Sequence, residues 1–280
     1  MKFFDANCMI GRPSRKSAPR TIWSVDEILR EMDYCGIEEA LVFHADAWEY
    51  DPQFGNSELL SLIRNSSRLH PLWVVKPDHC KPERKPSLVV EKMLDHGAKA
   101  ARMFPMARIP LPFSSWYMDE LLAELEKHRI PLFVDFEKRH WGDVGTNFEG
   151  IERICATFRD LPVILVREGV GPTDIFFALF ERCENLMLEL SYYQTPSALR
   201  KVTQRFGAHH FLFGTGLPFW APGPPMTMIL YSVISRPVWR FREPGRSGGS
   251  EQNSIRLGFP AARFILPIGS RRVRQDYGRG

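Results

Sequence analysis

Ionisable and amide side chains recur at the ends of short apolar segments along this chain. They are Asp5, Asn7, His44, Lys76, Arg102, Asp135, Arg167 and Glu189. Arginine and lysine bind carboxylates and other anions, and the planar fork of arginine matches a carboxylate especially well. Aspartate and histidine can accept a proton from a reacting group. Together these residue types indicate a site that binds a small organic anion and acts on it by proton transfer.

The segments that carry these side chains have the pattern of β-strands. Apolar runs recur at residues 3–10, 40–45, 69–76, 98–104, 131–137, 162–168, 186–192 and 211–215. Each run is followed by apolar residues at steps of three and four, which predicts an amphipathic helix. Ser24 and Glu27 form a capping box for the first helix, which Gly36 ends. Later helices are predicted at residues 57–67, 87–96, 118–128, 148–158, 174–183, 197–206 and 226–234.

Strict alternation of strands and helices predicts parallel strands joined by right-handed crossovers. Eight such units can close into a (β/α)8 TIM barrel, which we expect over residues 1–235. An open doubly wound sheet is the alternative, but no glycine-rich phosphate loop follows the first strand. In a closed barrel, reactive groups point inward at the carboxyl ends of the strands. The predicted inward set is Asp5, Asn7, Met9, His44, Lys76, Arg102, Asp135, Glu137, Arg167 and Glu189.

Asp135 and Arg167 are the predicted centre of the site. Their strands are neighbours about 5 Å apart, so the two side chains should face each other across adjacent strand ends. A buried charge needs a hydrogen-bonded partner. With Lys76 and Arg102 at the same mouth, the arginines could bind a carboxylate. The alternative is a closed salt-bridge network, in which acidic side chains of the same set neutralise all three cations.

His44 is the predicted general acid or base, because it ends the second strand and histidine titrates near neutral pH. The loops on the same face carry several aromatic side chains. They are Trp48, Tyr50, Trp141, Tyr192, Tyr193, Phe219 and Trp220. These rings predict an apolar wall above a charged floor, with Trp220 as a substrate-binding residue. Packing of the rings against one another is the alternative.

The composition, with 44% hydrophobic and 25% charged residues, is that of an ordinary globular protein. No apolar run reaches the ~18 residues of a membrane span, and Asp5 stands where a signal peptide would have its apolar core. The five cysteines show no Cys-x-x-Cys spacing, which indicates free thiols in a reducing compartment. We therefore expect a cytoplasmic protein with a small-molecule substrate and no membrane partner.

Residues 236–280 depart from this pattern. They contain ten arginines, no lysine and three acidic residues, a net charge of +7 against +4 for the whole chain. The segment is rich in glycine, proline and serine and has no sustained helical period, so we expect an irregular basic tail, disordered or loosely packed. Its arginines are scattered rather than aligned on one face, which argues against a nucleic-acid partner.

Two motifs and the order of the eight units resemble the amidohydrolase-related family of metal-dependent TIM-barrel hydrolases and decarboxylases. The motifs are FDANCMIG at residues 4–11 and LFGTGLP at residues 212–218, and the resemblance covers residues 1–235. It implies a divalent metal, usually zinc. In the family, a His-x-His pair on the first strand, a histidine on each of the fifth and sixth strands and an aspartate on the eighth hold this ion.

The family's ligand positions fall on Asn7, Met9, Asp135, Arg167 and Gly216. Zinc prefers deprotonated nitrogen, sulfur or carboxylate donors. Gly216 has no side chain, and the fixed charge of Arg167 would repel a cation. We therefore predict no zinc at this position and no other cofactor. An alternative keeps Mg²⁺ or Mn²⁺ on hard ligands from Asp5, Asn7, Asp135 and Glu189.

The resemblance also implies a function. Relatives in this superfamily that act on lactone dicarboxylates are metal-free, bind the carboxylates with arginines and use an aspartate as base. We therefore expect an amidohydrolase-like hydrolase of a small carboxylate-bearing molecule, with Asp135, His44 or Asp5 as the base. The expected substrate contacts are Arg167, Arg102, Lys76, Asn7, Glu189 and Trp220. The alternative is a catalytically degenerate barrel that binds a small anionic ligand or a partner. Barrels of this family often form homodimers, but the sequence identifies no interface.

Overall fold

The structure is a computed structural model that describes residues 3–14, 22–106, 111–113, 116–138, 145–169, 173–193 and 198–234. The tail predicted at residues 236–280 and the loop residue Trp141 lie outside these ranges.

Eight parallel strands form one sheet, in which each strand pairs with the next along the chain. They are β1 (Phe3–Ile10), β2 (Ile37–His44), β3 (Leu69–Val74), β4 (Ala100–Met103), β5 (Leu132–Asp135), β6 (Val163–Val166), β7 (Leu186–Glu189) and β8 (Phe211–Leu212). Backbone hydrogen bonds join β1 to the segment that follows β8. The amide of Ala6 donates to the carbonyl of Phe213, and the amide of Gly216 donates to the carbonyl of Asn7, both at 2.9 Å. The sheet is therefore closed, and the predicted (β/α)8 barrel is confirmed.

At least one helix follows each strand. The helices are α1 (Val25–Cys35), α2 (Ala45–Glu49), α3 (Pro52–Ile63), α4 (Pro86–Asp95), α5 (Asp119–Lys127), α6 (Phe148–Thr157), α7 (Thr173–Arg182), α8 (Ala198–Phe206) and α9 (Gly223–Ile234), with single 3-10 turns at Pro82–Arg84, Trp116–Met118 and Ala208–His210. The predicted capping box of α1 is confirmed: the amide of Glu27 donates to Oγ of Ser24 at 3.3 Å, and the amide of Ser24 donates to the Glu27 carboxylate at 2.9 Å. None of the described helices combines the length and the hydropathy that a bilayer span requires.

Helix α3 begins at Pro52, earlier than the predicted residue 57. The carboxylate of Asp51 accepts hydrogen bonds from the amides of Gln53 and Phe54 at 2.9 and 3.1 Å. An aspartate at this position satisfies amides that have no partner within the helix. The first turn, residues 52–55, carries no run of apolar residues at helical spacing, so the apolar period from which the start was predicted begins only after it.

Alternating side chains separate two apolar layers. The layer inside the barrel includes Leu72, Val74, Phe133, Ile164 and Val166. The layer between the strands and the helices includes Leu132, Val134, Val163 and Leu165. Because successive side chains along a strand point to opposite faces, Asp135 follows Phe133 on the inner face, at the carboxyl end of β5. The apolar layer beneath it excludes water from the floor of the site.

Candidate functional site

Asp135 joins two arginines at the carboxyl ends of β4, β5 and β6. Nε and Nη2 of Arg167 lie 2.8 and 2.7 Å from Oδ1 of Asp135, and Nη2 of Arg102 donates to Oδ2. The side chains of Asp135, Arg102 and Arg167 are 0%, 2% and 9% exposed. The structure thus brings Asp135 and Arg167 together as the strand order predicted, and adds Arg102 as a second partner of the same carboxylate. We call these three side chains the arginine–aspartate cluster.

The cluster carries a net positive charge. Burial alone would raise the pKa of Asp135, but the attraction of Arg167 and Arg102 and their hydrogen bonds hold this pKa below its ordinary value. Burial lowers the pKa of Arg102, and the attraction of Asp135 works in the opposite direction. Because an arginine keeps its proton at neutral pH, the cluster holds two positive charges and one negative charge.

Asn7 on β1 connects the cluster to Glu189 on β7. Its Oδ1 accepts a hydrogen bond from Nη1 of Arg102 at 2.7 Å, and its Nδ2 donates to Oε2 of Glu189 at 3.0 Å. Glu189 also accepts hydrogen bonds from the amide and the hydroxyl of Ser191, both at 2.7 Å. Burial raises the pKa of Glu189 to about 7, and the hydrogen bonds from Ser191 offset this only in part. A carboxyl group with this pKa can exchange a proton near neutral pH.

Asp5 lies apart from the arginines, in contrast to its predicted inward position. Its carboxylate accepts hydrogen bonds from the amide of Thr215 at 2.9 Å, from the hydroxyl of the same residue, and from the amide of Asn7 at 2.9 Å. The register of β1 against β2 shifts between Asp5 and Cys8, so simple alternation does not hold across this segment. Burial raises the pKa of Asp5. Asp5 joins β1 to the segment after β8, and Asn7 and Met9 reach the pocket instead.

The prediction that His44 points into the site is wrong. Leu41 and Phe43 occupy the inner face of β2, so His44 lies on the opposite face. Its Nδ1 accepts a hydrogen bond from the amide of Asp46 at 3.2 Å and caps helix α2. A Cβ atom added to Gly11 would lie 2.4 Å from Nε2 of His44, so the imidazole fills the space beside this glycine. Burial lowers the pKa of His44, which favours the neutral ring that capping requires.

Lys76 and Trp220 also lie outside the pocket. Strand β3 ends at Val74, and the side chain of Lys76 is exposed beyond it, so the expected third cation does not join the arginines. Trp220 packs on Tyr192 with a distance of 4.7 Å between ring centroids. A Cβ atom at Gly216 would lie 2.7 Å from Cδ1 of Trp220, which places the indole behind the pocket wall.

A narrow pocket opens beside the cluster. Its polar lining consists of Asn7, Arg102 and Arg167, and its remaining lining is Met9, Phe43, Trp48, Gly216, Leu217 and Phe219. The space between these walls is about 250 Å³, including the opening to solvent. This is below the ~300–1,000 Å³ of most small-molecule sites, and the pocket as it stands has room for about one water molecule. A ligand must therefore be small or must displace an aromatic ring.

Trp48, on the short helix α2, covers Arg167. Cζ of Arg167 lies 5.6 Å from the centroid of the indole, and Nε1 of Trp48 donates a hydrogen bond to Oε1 of Glu137 at 2.7 Å. The indole stacks on Phe104 at 5.5 Å between centroids. The sequence placed Trp48 among the loop aromatics but did not predict this contact, because a helix of five residues is too short to show a period.

The backbone of Glu137 and Arg167 is left-handed, with φ angles of 57° and 58°. Such conformations cost about 1–3 kcal/mol for residues other than glycine and concentrate at functional sites. The residues that follow, Lys138 and Glu168, form a buried ion pair with 2.6 Å between Nζ and Oε2. The hydroxyl of Thr146 donates to Oε1 of Glu168 at 2.8 Å. This pair ties the two strained segments together beside the pocket.

The residues at the metal positions that the resemblance implied do not fit a metal ion. Asp135 is the one carboxylate among the five, and both its oxygens are engaged by guanidinium groups. The alternative set of hard ligands is also engaged, because Thr215 and Ser191 donate to Asp5 and Glu189. Within the described part of the chain, no group of three or more His, Cys, Asp or Glu side chains is placed to hold a metal. The absence of zinc stays a prediction.

Fold and site together define a closed (β/α)8 barrel with paired arginines at the carboxyl ends of its strands. Solved structures share this architecture. 2,6-Dihydroxybenzoate decarboxylase from Rhizobium is 16% identical, covers 82% of this chain and 91% of its own, and has a TM-score of 0.62. A putative 2-pyrone-4,6-dicarboxylic acid hydrolase from Pseudomonas putida is 13% identical, with a TM-score of 0.58; the match covers 82% of this chain and 89% of that protein. A putative amidohydrolase from Staphylococcus aureus is 12% identical, with a TM-score of 0.59; the match covers 82% of this chain and 92% of that protein.

At these identities the likeness shows the fold. The barrel that the resemblance to the amidohydrolase-related family implied is therefore confirmed at the level of architecture. No protein-family model and no curated protein matches the chain.

Proposed function

We propose that this chain is an amidohydrolase-like hydrolase that binds a small carboxylate-bearing molecule and cleaves an ester, lactone or amide bond in it without a divalent metal. The observation that carries the proposal is the arginine–aspartate cluster, which puts two guanidinium groups on the wall of the pocket. It lies at the carboxyl ends of the strands, the usual place of the active site in a (β/α)8 barrel.

The cluster favours an organic anion for two reasons. Its net charge is positive, because Asp135 neutralises one of the two arginines. Its surroundings are dry, since Arg102 is buried and its guanidinium lies 4.2 Å from the centroid of Phe43 and 5.0 Å from that of Phe104. Charge-assisted hydrogen bonds from arginine to carboxylate are strong where water is excluded.

Hydrolysis requires a group that takes a proton from the attacking water. Asp135 is a weak base, because its two arginine partners stabilise the ionised form. Glu189 is the better candidate, because its pKa of about 7 matches neutral conditions and only Asn7 separates it from Arg102. Glu189 lies behind Asn7 and does not line the pocket, so Asn7 must turn aside for water to reach it. In the proposed reaction, that water gives a proton to Glu189 as its oxygen attacks the carbonyl carbon, and the departing oxygen or nitrogen takes the proton back.

The neighbouring structures agree with a carboxylate ligand. The titles of two name a decarboxylase of a dihydroxybenzoate and a putative hydrolase of a pyrone dicarboxylic acid. Both names describe reactions of carboxylate-bearing molecules. They support the class of ligand and leave the choice between hydrolysis and decarboxylation to experiment.

A binding protein without chemistry is the second candidate function. It is favoured by the pocket lining, in which the ionisable side chains are both arginines and no carboxylate or imidazole is present among the described residues. In that case the barrel would hold its anion through Arg102 and Arg167 and leave it unchanged.

A turnover assay separates the two functions. Esters, lactones and amides that carry one free carboxylate are incubated with the protein, and products are separated by liquid chromatography. We expect hydrolysis of at least one compound, lost in Arg167→Gln and kept in Arg159→Gln, which removes an exposed arginine after α6 at the opposite end of the barrel. Binding of the compounds without turnover would support the second function, and loss of one carboxylate as carbon dioxide would replace hydrolysis with decarboxylation.

A further inference from the structure

We propose that the pocket selects molecules with one carboxylate over dicarboxylates of the same carbon skeleton. This inference rests on the proposed function, because it specifies the charge of the ligand that the same pocket binds. The charges of the cluster and the polarity of the remaining lining support it independently.

The first argument is the count of charges at the pocket wall. Arg102 and Arg167 each carry one positive charge, and Asp135 carries one negative charge that contacts both. The sum is +1, which a single carboxylate neutralises. A second carboxylate would enter a site whose positive charge is already cancelled, and would add the cost of like charges in a poorly solvated place.

The other charged groups nearby do not raise this sum. Glu189 lies behind Asn7, and Glu137 accepts a hydrogen bond from Trp48; neither lines the pocket and neither supplies positive charge. Lys76 is exposed and does not line the pocket. Among the described residues that form the lining, no lysine or histidine supplies a second net positive charge.

The second argument is the apolar remainder of the lining. Met9, Phe43, Trp48, Leu217 and Phe219 surround the space that the arginines leave open. None of these side chains accepts a proton or donates a strong hydrogen bond toward a carboxylate, apart from the indole of Trp48, which already donates to Glu137. A second carboxylate placed there would lose its water without replacement, which weakens binding or forces its protonation. The body of the ligand is therefore expected to be uncharged and apolar.

Calorimetric titration of matched pairs tests the selectivity. Benzoate is compared with isophthalate, and butanoate with succinate, at pH 8 and constant ionic strength. We expect the monocarboxylate of each pair to bind roughly tenfold or more tightly than its dicarboxylate. Equal or tighter binding of the dicarboxylates would overturn the inference and leave the proposed function intact. If no carboxylate of either kind binds, the proposed function itself fails.

Two variants relate the selectivity to the charge count. Asp135→Asn raises the net charge to +2, so the affinity ratio should move toward the dicarboxylate. Arg167→Gln lowers the net charge to zero, so the monocarboxylate should lose most of its affinity while Arg159→Gln stays at the wild-type value. An unchanged ratio in folded Asp135→Asn would contradict the charge argument. If that variant does not fold, the wild-type ratio and Arg167→Gln still decide.

Discussion

Asp135 compensates two buried guanidinium groups with a single carboxylate. Each oxygen serves a different arginine, and the amide of Glu137 donates to Oδ1 at 2.8 Å as well. The residue therefore fixes the directions of both arginines and keeps the net charge of the site at +1. Its contribution differs from that of a surface ion pair, because the three side chains are almost wholly withdrawn from water.

Replacing Asp135 should strongly destabilise the barrel. In Asp135→Ala, two arginines remain buried without their partner, and breaking a buried ion pair in this way typically costs about 3–5 kcal/mol. The free energy of unfolding, from urea denaturation followed by circular dichroism, should fall by about this amount. The control Asp160→Ala removes an exposed carboxylate paired with Arg129, and should change little. A similar small change in Asp135→Ala would show that the cluster is not buried as described.

Glu189 should make stability depend on pH. Burial raises its pKa to about 7 in the folded state, above the ~4.3 of an exposed glutamate. The folded protein then binds more protons than the unfolded chain, so the free energy of unfolding falls as the pH rises through this interval. Relative to Glu189→Gln, the wild-type protein should lose about 3 kcal/mol between pH ~4 and pH ~8. Parallel curves for the two proteins in urea denaturation would contradict the raised pKa.

At the scale of elements, the carboxyl ends of β5 and β6 form one unit. The left-handed residues Glu137 and Arg167 are each followed by one member of the Lys138–Glu168 pair. The ion pair closes behind the two residues that contact Trp48. It therefore holds the strained backbone in place, and its strength should govern the order of the pocket wall.

A double-mutant cycle tests this role. Lys138→Met leaves Glu168 buried with Thr146 as its remaining partner, and should cost about 3 kcal/mol of unfolding free energy. Adding Glu168→Leu removes the uncompensated charge, so the double variant should be more stable than Lys138→Met alone. The free energies of unfolding are measured by urea denaturation. If the double variant loses the sum of what Lys138→Met and Glu168→Leu lose separately, the two side chains do not interact.

The barrel and the inward position of most of its polar residues could be predicted from the sequence. The period of two along β4, β5 and β7 directs Arg102, Asp135 and Glu189 inward, and this held because these strands are regular. The predicted inward position of His44 was wrong, because Phe43, one residue earlier, lies on the inner face of β2 and His44 therefore lies on the outer face. Asp5 lies next to the register shift in β1, and its carboxylate accepts a hydrogen bond from Thr215, a residue 210 positions away, which no local pattern in the sequence indicates.

Other features had no signal in local sequence. Alternation along β3 would direct Lys76 inward, but the pairing of β3 with β4 ends at Val74. Where a strand ends depends on the strand it pairs with, so this end could not be predicted from the segment around Lys76 alone. Trp48 reaches Arg167 only because α2 is short and packs closely on α3. A Cβ atom at Gly55 would lie 2.0 Å from the backbone nitrogen of Ala47. Such close approaches belong to tertiary packing.

At the scale of the whole molecule, the chain forms a closed (β/α)8 barrel, and Arg167 lies at a position where the resemblance to the amidohydrolase-related family implied a metal ligand. We expect the protein purified without chelators to contain well under one equivalent of zinc, manganese or magnesium. EDTA should then leave the melting temperature unchanged, because no metal stabilises the folded state. Elemental analysis by mass spectrometry is the measurement. One equivalent of any of these metals per chain, removed by EDTA with loss of stability, would contradict the assignment of Arg167.

The most direct test of the central claim is a crystal structure with 3-bromobenzoate, in which anomalous scattering from bromine locates the ligand. The account predicts the carboxylate within hydrogen-bonding distance, about 2.7–3.2 Å, of the guanidinium of Arg167 or Arg102, and the ring among Phe43, Trp48 and Phe219. A bromine signal elsewhere, or Arg167 turned away from Asp135 with a metal ion in its place, would contradict it.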